Sequence, residues 1–167
     1  MKKELGLEEQ RQPPHYHINN MNKQKIKETL IGIQQEKLKE LMDRVGGLMA
    51  DIDIDDNDTI DPEDLSHHTE SNELLQLFRR QLEKCKTDLN FLQHIDVEAH
   101  DKIQAGSVVS TNEFNFFIGH TFPPINWEDG RLIGISTDSP FYEVLKSKSV
   151  GDTFEFNNHN YTILTVN

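Results

Sequence analysis

The chain has 167 residues, of which 35% are hydrophobic and 28% charged, and a formal net charge of −12. This length suits one ordinary domain, or an extended helical part joined to a small globular one. So large a negative charge argues against direct binding to a phosphate backbone, and hence to DNA or RNA. The single cysteine, Cys85, excludes a disulfide within the chain, and no apolar run is long enough to cross a bilayer. These features predict a soluble, cytoplasmic protein without a membrane partner.

The sequence pattern divides the chain into three parts. Residues 1–20 are polar, include Pro13-Pro14 and show no sustained period, so they are predicted to form a tail. Residues 21–96 are rich in helix-forming Lys, Glu, Gln and Leu, and are predicted to form two helices. Residues 97–167 have the alternating apolar pattern of a small sheet domain.

The first helix is predicted from about Asn22 to Met49. Its apolar residues recur at intervals of three and four in two groups, and the skip between the groups indicates a local change of phase. Gly46-Gly47 weakens the helix near its end. The two groups are Ile26, Leu30 and Ile33, followed by Leu38, Leu41, Val45 and Leu48.

The second helix has clearer signals. Asp61 can cap it, Pro62 suits the first helical position, and acidic residues follow at the positive end of the helix dipole. Its apolar residues alternate strictly at intervals of three and four along one seam: Leu75, Phe78, Leu82, Cys85, Leu89 and Leu92. Because no third amphipathic helix remains to complete a bundle, the two helices are predicted to pair as an antiparallel coiled-coil hairpin, about 40 Å long at 1.5 Å per residue.

The segment between the helices is strongly acidic. Eight of the fourteen residues from 51 to 64 are acidic and none is basic. Carboxylates held close together at the end of a rigid stalk are what a hard divalent cation needs. The candidate metal ligands are Asp53, Asp55, Asp58, Asp61 and Asp64.

Four interpretations of this acidic tip are open. It could be an EF-hand Ca²⁺ loop, since oxygen-bearing side chains occur at the ligand spacing, although Asp58 stands where that loop needs glycine. It could carry carboxylates to a metal ion held by a partner. It could also be a solvated charged loop, or an acidic module for protein interaction.

The C-terminal part of the chain, residues 97–167, is predicted to be an antiparallel sheet with one covering helix, which makes the whole an α+β protein. The helix begins at Ser139-Pro140, and Gly151-Asp152 leads into a final hairpin. The predicted core of this part consists of Val108, Phe116, Ile118, Leu132, Ile135, Phe141, Leu145, Phe154, Phe156, Ile163 and Val166. Trp127 is predicted to serve core or loop packing.

The stretch from Ser139-Pro140 through Leu145-Lys-Ser-Lys148 to Gly151-Asp152 resembles the C-terminal signature of the bacterial Gre transcript-cleavage factors. In that family Ser-Pro begins a short helix, Leu-x-x-Lys ends it, and Gly-Asp precedes the last hairpin. The closing residues 154–163 also resemble a compact Gre-like group common in Bacteroidetes. With the acidic-tipped hairpin upstream, the resemblance covers about residues 22–167.

The resemblance implies an FKBP-like C-terminal domain that docks on RNA polymerase and a coiled coil that enters the secondary channel of the polymerase. Contact with DNA or RNA would then occur only within the polymerase complex. In active Gre factors an Asp-Leu-x-Glu-Asn tip motif helps hold a second Mg²⁺ and the attacking water. The docking residues that the resemblance implies are Ser139, Pro140, Phe141, Tyr142, Lys146 and Lys148.

The tip motif fits in two registers. In the first, Asp61 takes the place of the family's Asp and Asp64 that of its Glu. In the second, Asp64-Leu65-Ser66-His67 lies on the motif and His67 stands where Glu belongs. Because some Gre relatives with aspartate-rich tips inhibit the polymerase, stimulation and inhibition of cleavage are both expected possibilities.

Overall fold

The computed structural model describes residues 22–55, 62–98, 100–128 and 130–167. Two long helices come first, α1 (Lys23–Asp55) and α2 (Pro62–His94). The other elements are strands β1 (Val108–Thr111), β2 (Asn115–Ile118), β3 (Ile125–Trp127) and β4 (Gly130–Ile135), helix α3 (Pro140–Leu145), and strands β5 (Thr153–Phe156) and β6 (His159–Val166). The predicted α+β class is confirmed. Residues 1–20, the predicted tail, lie outside the described residues. Among the helices described, none combines the length and apolar character needed to cross a membrane.

The two helices begin where the sequence predicts. The backbone N–H of Lys25 donates to the side chain of Asn22 at 2.9 Å, so Asn22 caps α1. α2 begins at Pro62, as predicted. α1 ends at Asp55, six residues beyond the predicted end at Met49, and passes through Gly46-Gly47 without a break. Leu48 and Ile52 are half-buried, so contact with α2 continues past the glycines.

The seam between α1 and α2 confirms the pattern predicted for α2 and corrects that of α1. All six predicted α2 residues are buried or half-buried. On α1, however, Ile33 is 42% exposed, and the neighbouring Gln34 is the buried residue at 5%. The apparent change of phase therefore arises because a buried seam position is occupied by glutamine. A pattern based on apolar residues alone does not identify this position.

Gln34 forms a polar layer with Cys85 in the middle of the hairpin. The Gln34 Nε2 donates to the Cys85 carbonyl oxygen at 3.4 Å, and the Cys85 thiol donates to the Gln34 carbonyl oxygen at 3.6 Å. Burial raises the pKa of the Cys85 thiol, which favours the protonated form that can donate. A polar residue at a seam position fixes the register of paired helices and lowers their stability.

We therefore expect Gln34→Leu to raise the free energy of unfolding by about 1 kcal/mol. Leucine replaces a buried amide, which has one long hydrogen bond, by an apolar side chain that needs none. Urea unfolding followed by circular dichroism measures the change. The neighbouring exposed residue supplies the control, since Gln35→Leu should change stability by less than about 0.5 kcal/mol. A loss of stability in Gln34→Leu would show that the amide holds the seam together.

The six strands form one sheet in the order β3-β4-β2-β1-β6-β5. The prediction of an antiparallel sheet is wrong for one pair, since β2 and β4 run parallel while the other pairs are antiparallel. The cause is β3, a strand that the sequence did not predict and that contains Trp127. The chain passes from β2 to the edge strand β3 and returns between them as β4, which therefore has the direction of β2.

The sheet is covered on both faces. On one face, α3 closes a core that includes Phe116, Ile118 and Ile163. On the other, the base of the hairpin packs on the sheet through Ile26, Leu30, Leu92 and Ile95 of the helical part and Val108, Phe117, Phe122 and Leu132 of the sheet part. All eleven predicted core residues lie in or against these two clusters. Strand β2 is buried along its whole length because its alternate side chains enter opposite cores.

The β5–β6 hairpin turns through two residues. Asn157 and Asn158 have φ of 50° and 63°, the left-handed region that asparagine tolerates and that a tight hairpin turn of this kind requires. The pairing of Phe156 with His159 closes the turn. The predicted turn over residues 157–160 is thus shorter, and β6 begins at His159.

Candidate functional site

The described parts of the acidic segment, at the end of α1 and the start of α2, lie at the end of the hairpin remote from the sheet. Near the sheet, Lys27 Nζ of α1 donates to the carbonyl oxygen of Ile95 at 2.9 Å. Towards the other end, Arg79 Nη2 of α2 lies 3.7 Å from the Met49 sulfur of α1. Past Met49, α1 continues to Asp55, and α2 begins at Pro62. These two helix ends therefore lie about 40 Å from the sheet-packed end of the hairpin at 1.5 Å per residue.

The candidate metal ligands of the tip are only partly described. Asp58 and Asp61 lie outside the described residues. Asp53 and Asp55 belong to the last turn of α1 and Asp64 to the first turn of α2, with their side chains outside the described set. Within the residues whose side chains are described, no cluster of three or more His, Cys, Asp or Glu could hold a metal ion.

The ends of the two helices bear on the EF-hand interpretation. In an EF hand a twelve-residue loop separates two helices and wraps its ligands around Ca²⁺. Here α1 is helical through Asp53 and Asp55, which would be the first ligands of that loop, and the residues between the two helices are only those from 56 to 61. The two helices also pack along a common seam. This arrangement suits a tip on a stalk better than a Ca²⁺ loop between splayed helices.

The second candidate region is α3 with the residues that flank it. Ser139 adopts an extended conformation, and its hydroxyl accepts a hydrogen bond from the backbone N–H of Tyr142 at 3.1 Å. Pro140 occupies the first turn, as the Ser-Pro pattern predicts. The Tyr142 hydroxyl donates to the carbonyl oxygen of Ile103 at 3.4 Å. These contacts fix the position of α3 on the sheet.

Phe141 is a core residue and not part of an exposed docking surface. It is 7% exposed. Its ring packs against four aromatic rings at centroid distances of 4.7–5.7 Å: those of Phe116, Phe154, Phe156 and Tyr161. The sequence predicts Phe141 both in the core and among the partner-binding residues; its burial confirms the first, and the second stays a prediction.

The exposed residues of this region are the ones that a partner can reach. Pro140 and Lys146 are exposed, and Lys148 is half-buried. Lys146 Nζ lies 2.8 Å from a carboxylate oxygen of Glu143, and that hydrogen bond raises the pKa of Lys146. Val150, which the sequence did not single out, is 60% exposed close to Lys148 in the chain. The surface therefore presents two cations beside an apolar side chain.

We expect Ser139→Ala to lower the free energy of unfolding by about 1 kcal/mol, because the first turn of α3 loses its capping hydroxyl. Thermal denaturation followed by circular dichroism measures the loss. Ser147→Ala, at an exposed position after the same helix, is the matched control and should leave the melting temperature unchanged. Equal melting temperatures for the two variants would contradict a capping role for Ser139.

Comparison with known proteins gives no relative from which a function could be transferred. The chain matches no protein-family model and no curated protein sequence. The Gre resemblance accordingly depends on the acidic hairpin and on the Ser139–Asp152 signature, and a function has to be argued from the geometry and charge of these two regions.

Proposed function

We propose that this protein regulates elongation by bacterial RNA polymerase, inserting the acidic tip of its hairpin into the secondary channel and modulating cleavage of the transcript. The observation that carries the proposal is the hairpin itself. It joins an acidic segment, residues 51–64, to two paired helices about 50 Å long whose other end is packed on a sheet. A stalk of this kind can deliver carboxylates to a place that a globular domain cannot enter.

The width of the hairpin supports entry into a channel. Beyond the region that packs on the sheet, α1 and α2 contact each other through a single seam, so the distal part is two helices across. One helix with its side chains is about 10–12 Å in diameter. A passage of roughly 20 by 12 Å would therefore admit the tip while excluding the sheet.

The chemistry proposed for the tip is assistance to a metal ion in the polymerase. Hydrolysis of a phosphodiester by two metals needs both ions held close to the attacking and leaving oxygens. In the proposed complex, Asp61 and Asp64 help hold a Mg²⁺ shared with the polymerase, and the protein itself is an accessory factor and not an enzyme. A tip that binds without aligning the water would inhibit cleavage.

Docking is proposed to occur through the sheet domain, which we assign to the FKBP-like type on the strength of the Ser139–Asp152 signature. Pro140, Tyr142, Lys146 and Lys148 are the proposed contacts, with Val150 at their edge. The net charge of −12 makes an independent nucleic-acid site unfavourable, so contact with DNA or RNA occurs only through the polymerase complex.

Binding to purified bacterial RNA polymerase tests the proposal. The full chain is expected to bind the core enzyme, and a Lys146→Glu, Lys148→Glu double variant is expected to bind about ten-fold more weakly, because it reverses two charges at the proposed contact. Lys102→Glu, at an exposed position elsewhere in the sheet domain, is the matched control. Absence of binding by the unaltered chain would contradict the proposal.

The alternative, a Ca²⁺-binding module, is separated from the proposal by calorimetry. An EF-hand site should take up one Ca²⁺ with a Kd well below millimolar. Under the proposed function the isolated protein has weak affinity for Ca²⁺ and Mg²⁺, because the polymerase supplies the remaining ligands. An acidic interaction module with another partner would show neither polymerase binding nor tight uptake of Ca²⁺.

A further inference from the structure

Three alternate lysines in the first turns of α1, namely Lys23, Lys25 and Lys27, reach three different points at the junction of the hairpin and the sheet domain. Two of them donate hydrogen bonds to the segment that follows α2. Lys27 Nζ donates to the carbonyl oxygen of Ile95 at 2.9 Å, and Lys23 Nζ donates to that of Glu98. Ile95 directly follows the last helical residue, His94, and Glu98 lies four residues beyond it. A helix C-terminus carries partial negative charge and unpaired carbonyls, so Lys27 stabilises the end of α2, whereas Lys23 holds the segment that follows it.

The third lysine reaches the edge of the sheet. Lys25 Nζ lies 2.9 Å from a carboxylate oxygen of Glu128, in the turn after β3. It also lies 5.6 Å from the centre of the Trp127 ring, within the range of a cation–π contact. The same two turns of α1 therefore bind the linker after α2 and the outermost strand of the sheet.

Burial distinguishes the three lysines. Lys23 is 8% exposed, and burial lowers the pKa of its ammonium group against the opposing influence of Asp96 and Glu98. The side chain of Lys25 is 57% exposed. The contacts thus range from a desolvated hydrogen bond at Lys23 to a solvent-accessible ion pair at Lys25, arranged around the apolar cluster of Ile26, Leu30, Leu92 and Ile95.

The linker between α2 and β1 has little room to move. Gly106 has φ of +88°, and a Cβ at this position would lie 1.6 Å from the backbone oxygen of Asp96. Gly119 directly follows β2, and a Cβ at this position would lie 3.0–3.3 Å from the side chains of Ile95 and Phe91. The sheet domain therefore closely approaches the end of α2 and the segment after it at two glycines, and at Gly106 a side chain would collide with the backbone of Asp96.

We propose that this lysine collar, formed by Lys23, Lys25 and Lys27, is a positioning device that locks the hairpin to the sheet domain and fixes the direction in which the tip points. The length of the stalk makes the device necessary. Over about 40 Å, a rotation of about 10° at the base displaces the tip by about 7 Å, more than the length of a side chain. The apolar cluster holds the parts together, whereas directional contacts at three separate points oppose rotation. This inference holds whatever partner the tip meets.

The test measures the distance from the tip to the sheet in the full chain. Spin labels are attached to Asp51→Cys near the tip and Glu155→Cys on β5, both exposed, with Cys85→Ser removing the native thiol. Pulsed electron resonance then gives the distance distribution. The intact collar should give one narrow distribution. Lys23→Met, Lys25→Met and Lys27→Met together should add a spread of about 7 Å.

Lys39→Met, at an exposed position further along α1, is the matched control and should leave the distribution narrow. Circular dichroism establishes that each labelled variant remains helical. If the triple variant fails to fold, Lys25→Met alone is measured by the same method and by the fluorescence of Trp127, the only tryptophan, which should shift as the cation leaves the ring. A broad distribution with the collar intact, or a narrow one without it, would overturn the inference.

Discussion

Replacement of Leu92 by alanine is expected to lower the free energy of unfolding by about 3–4 kcal/mol, and to do so for the helices and the sheet together. Leu92 is fully buried at the base of α2. It belongs to the cluster that joins Ile26 of α1 to Phe117 and Leu132 of the sheet. Alanine would leave a cavity shared by both parts, and the loss is large beside the 5–15 kcal/mol that stabilises an ordinary domain.

Urea unfolding followed by two signals measures this effect. Far-UV circular dichroism reports mainly on α1 and α2, and the fluorescence of Trp127 reports on β3 at the opposite edge of the shared core. Both transitions should move together to lower urea, as expected of one cooperative unit. Leu74→Ala, at a 40% exposed position on α2, is the control and should cost less than about 1 kcal/mol.

Separate midpoints for the two signals would contradict the shared core. They would instead favour the sequence-based division into a hairpin, residues 21–96, and an independent domain, residues 97–167. The packing of Ile95 and Val97 in the same cluster as Phe117 argues for a single unit, because the proposed boundary passes through a buried layer.

The second large effect is expected at the tip. Asp61→Ala combined with Asp64→Ala should abolish the effect of the protein on transcript cleavage while leaving its binding to RNA polymerase intact. Under the proposed function these carboxylates hold a Mg²⁺ at the reacting phosphate, a contribution of several kcal/mol. If the protein stimulates cleavage, the accelerated rate should fall about 100-fold. If it inhibits, the inhibition should be relieved.

The measurement uses stalled elongation complexes. The rate at which their RNA shortens is compared with and without the protein. The control is Asp51→Ala, which removes an exposed carboxylate at the edge of the tip without touching either register of the family motif. Unchanged cleavage kinetics in the double variant would show that the tip carboxylates do not act at the polymerase active site. Asp61→Ala, compared with His67→Ala, would distinguish the two registers, because Asp64 belongs to both.

The sequence predicts well those parts of the fold that depend on a single local signal, such as apolar spacing or helix capping. The seam of α2 is an unbroken alternation of apolar residues, and every member is buried or half-buried. The start of α2 at Pro62 follows from local capping chemistry. α1 departs from the pattern at Gln34, where a polar side chain takes a buried position that the apolar pattern assigned to Ile33.

Strand β3 shows why the sheet topology could not be predicted. It has three residues after Pro123-Pro124 and a polar one, Asn126, in the middle, so it has neither the length nor the alternation of a typical strand. Its pairing with β4 depends on contacts distant in sequence. Without β3, nothing in the sequence indicates that β2 and β4 pair in parallel.

The sequence predicts the charge of the candidate site, but only part of the positions of its side chains. The sequence locates the acidic residues and, through the two helices, the end of the hairpin that carries them. Phe141 is assigned to docking by its position after Ser-Pro and to the core by its aromatic character, and the structure shows it buried. The lysine collar had no sequence signature, since alternate lysines on a helix are ordinarily solvent-exposed.

Photocrosslinking from the tip tests the central claim most directly. A photoreactive benzoylphenylalanine is placed at Ile60, in the acidic segment, and in a second protein at Glu155, on the exposed edge of the sheet. We expect the Ile60 probe to crosslink to the polymerase residues that line the secondary channel near the catalytic Mg²⁺, and the Glu155 probe to leave those residues unlabelled. Crosslinks from Ile60 only to the outer surface of the polymerase, or none at all, would contradict insertion of the tip.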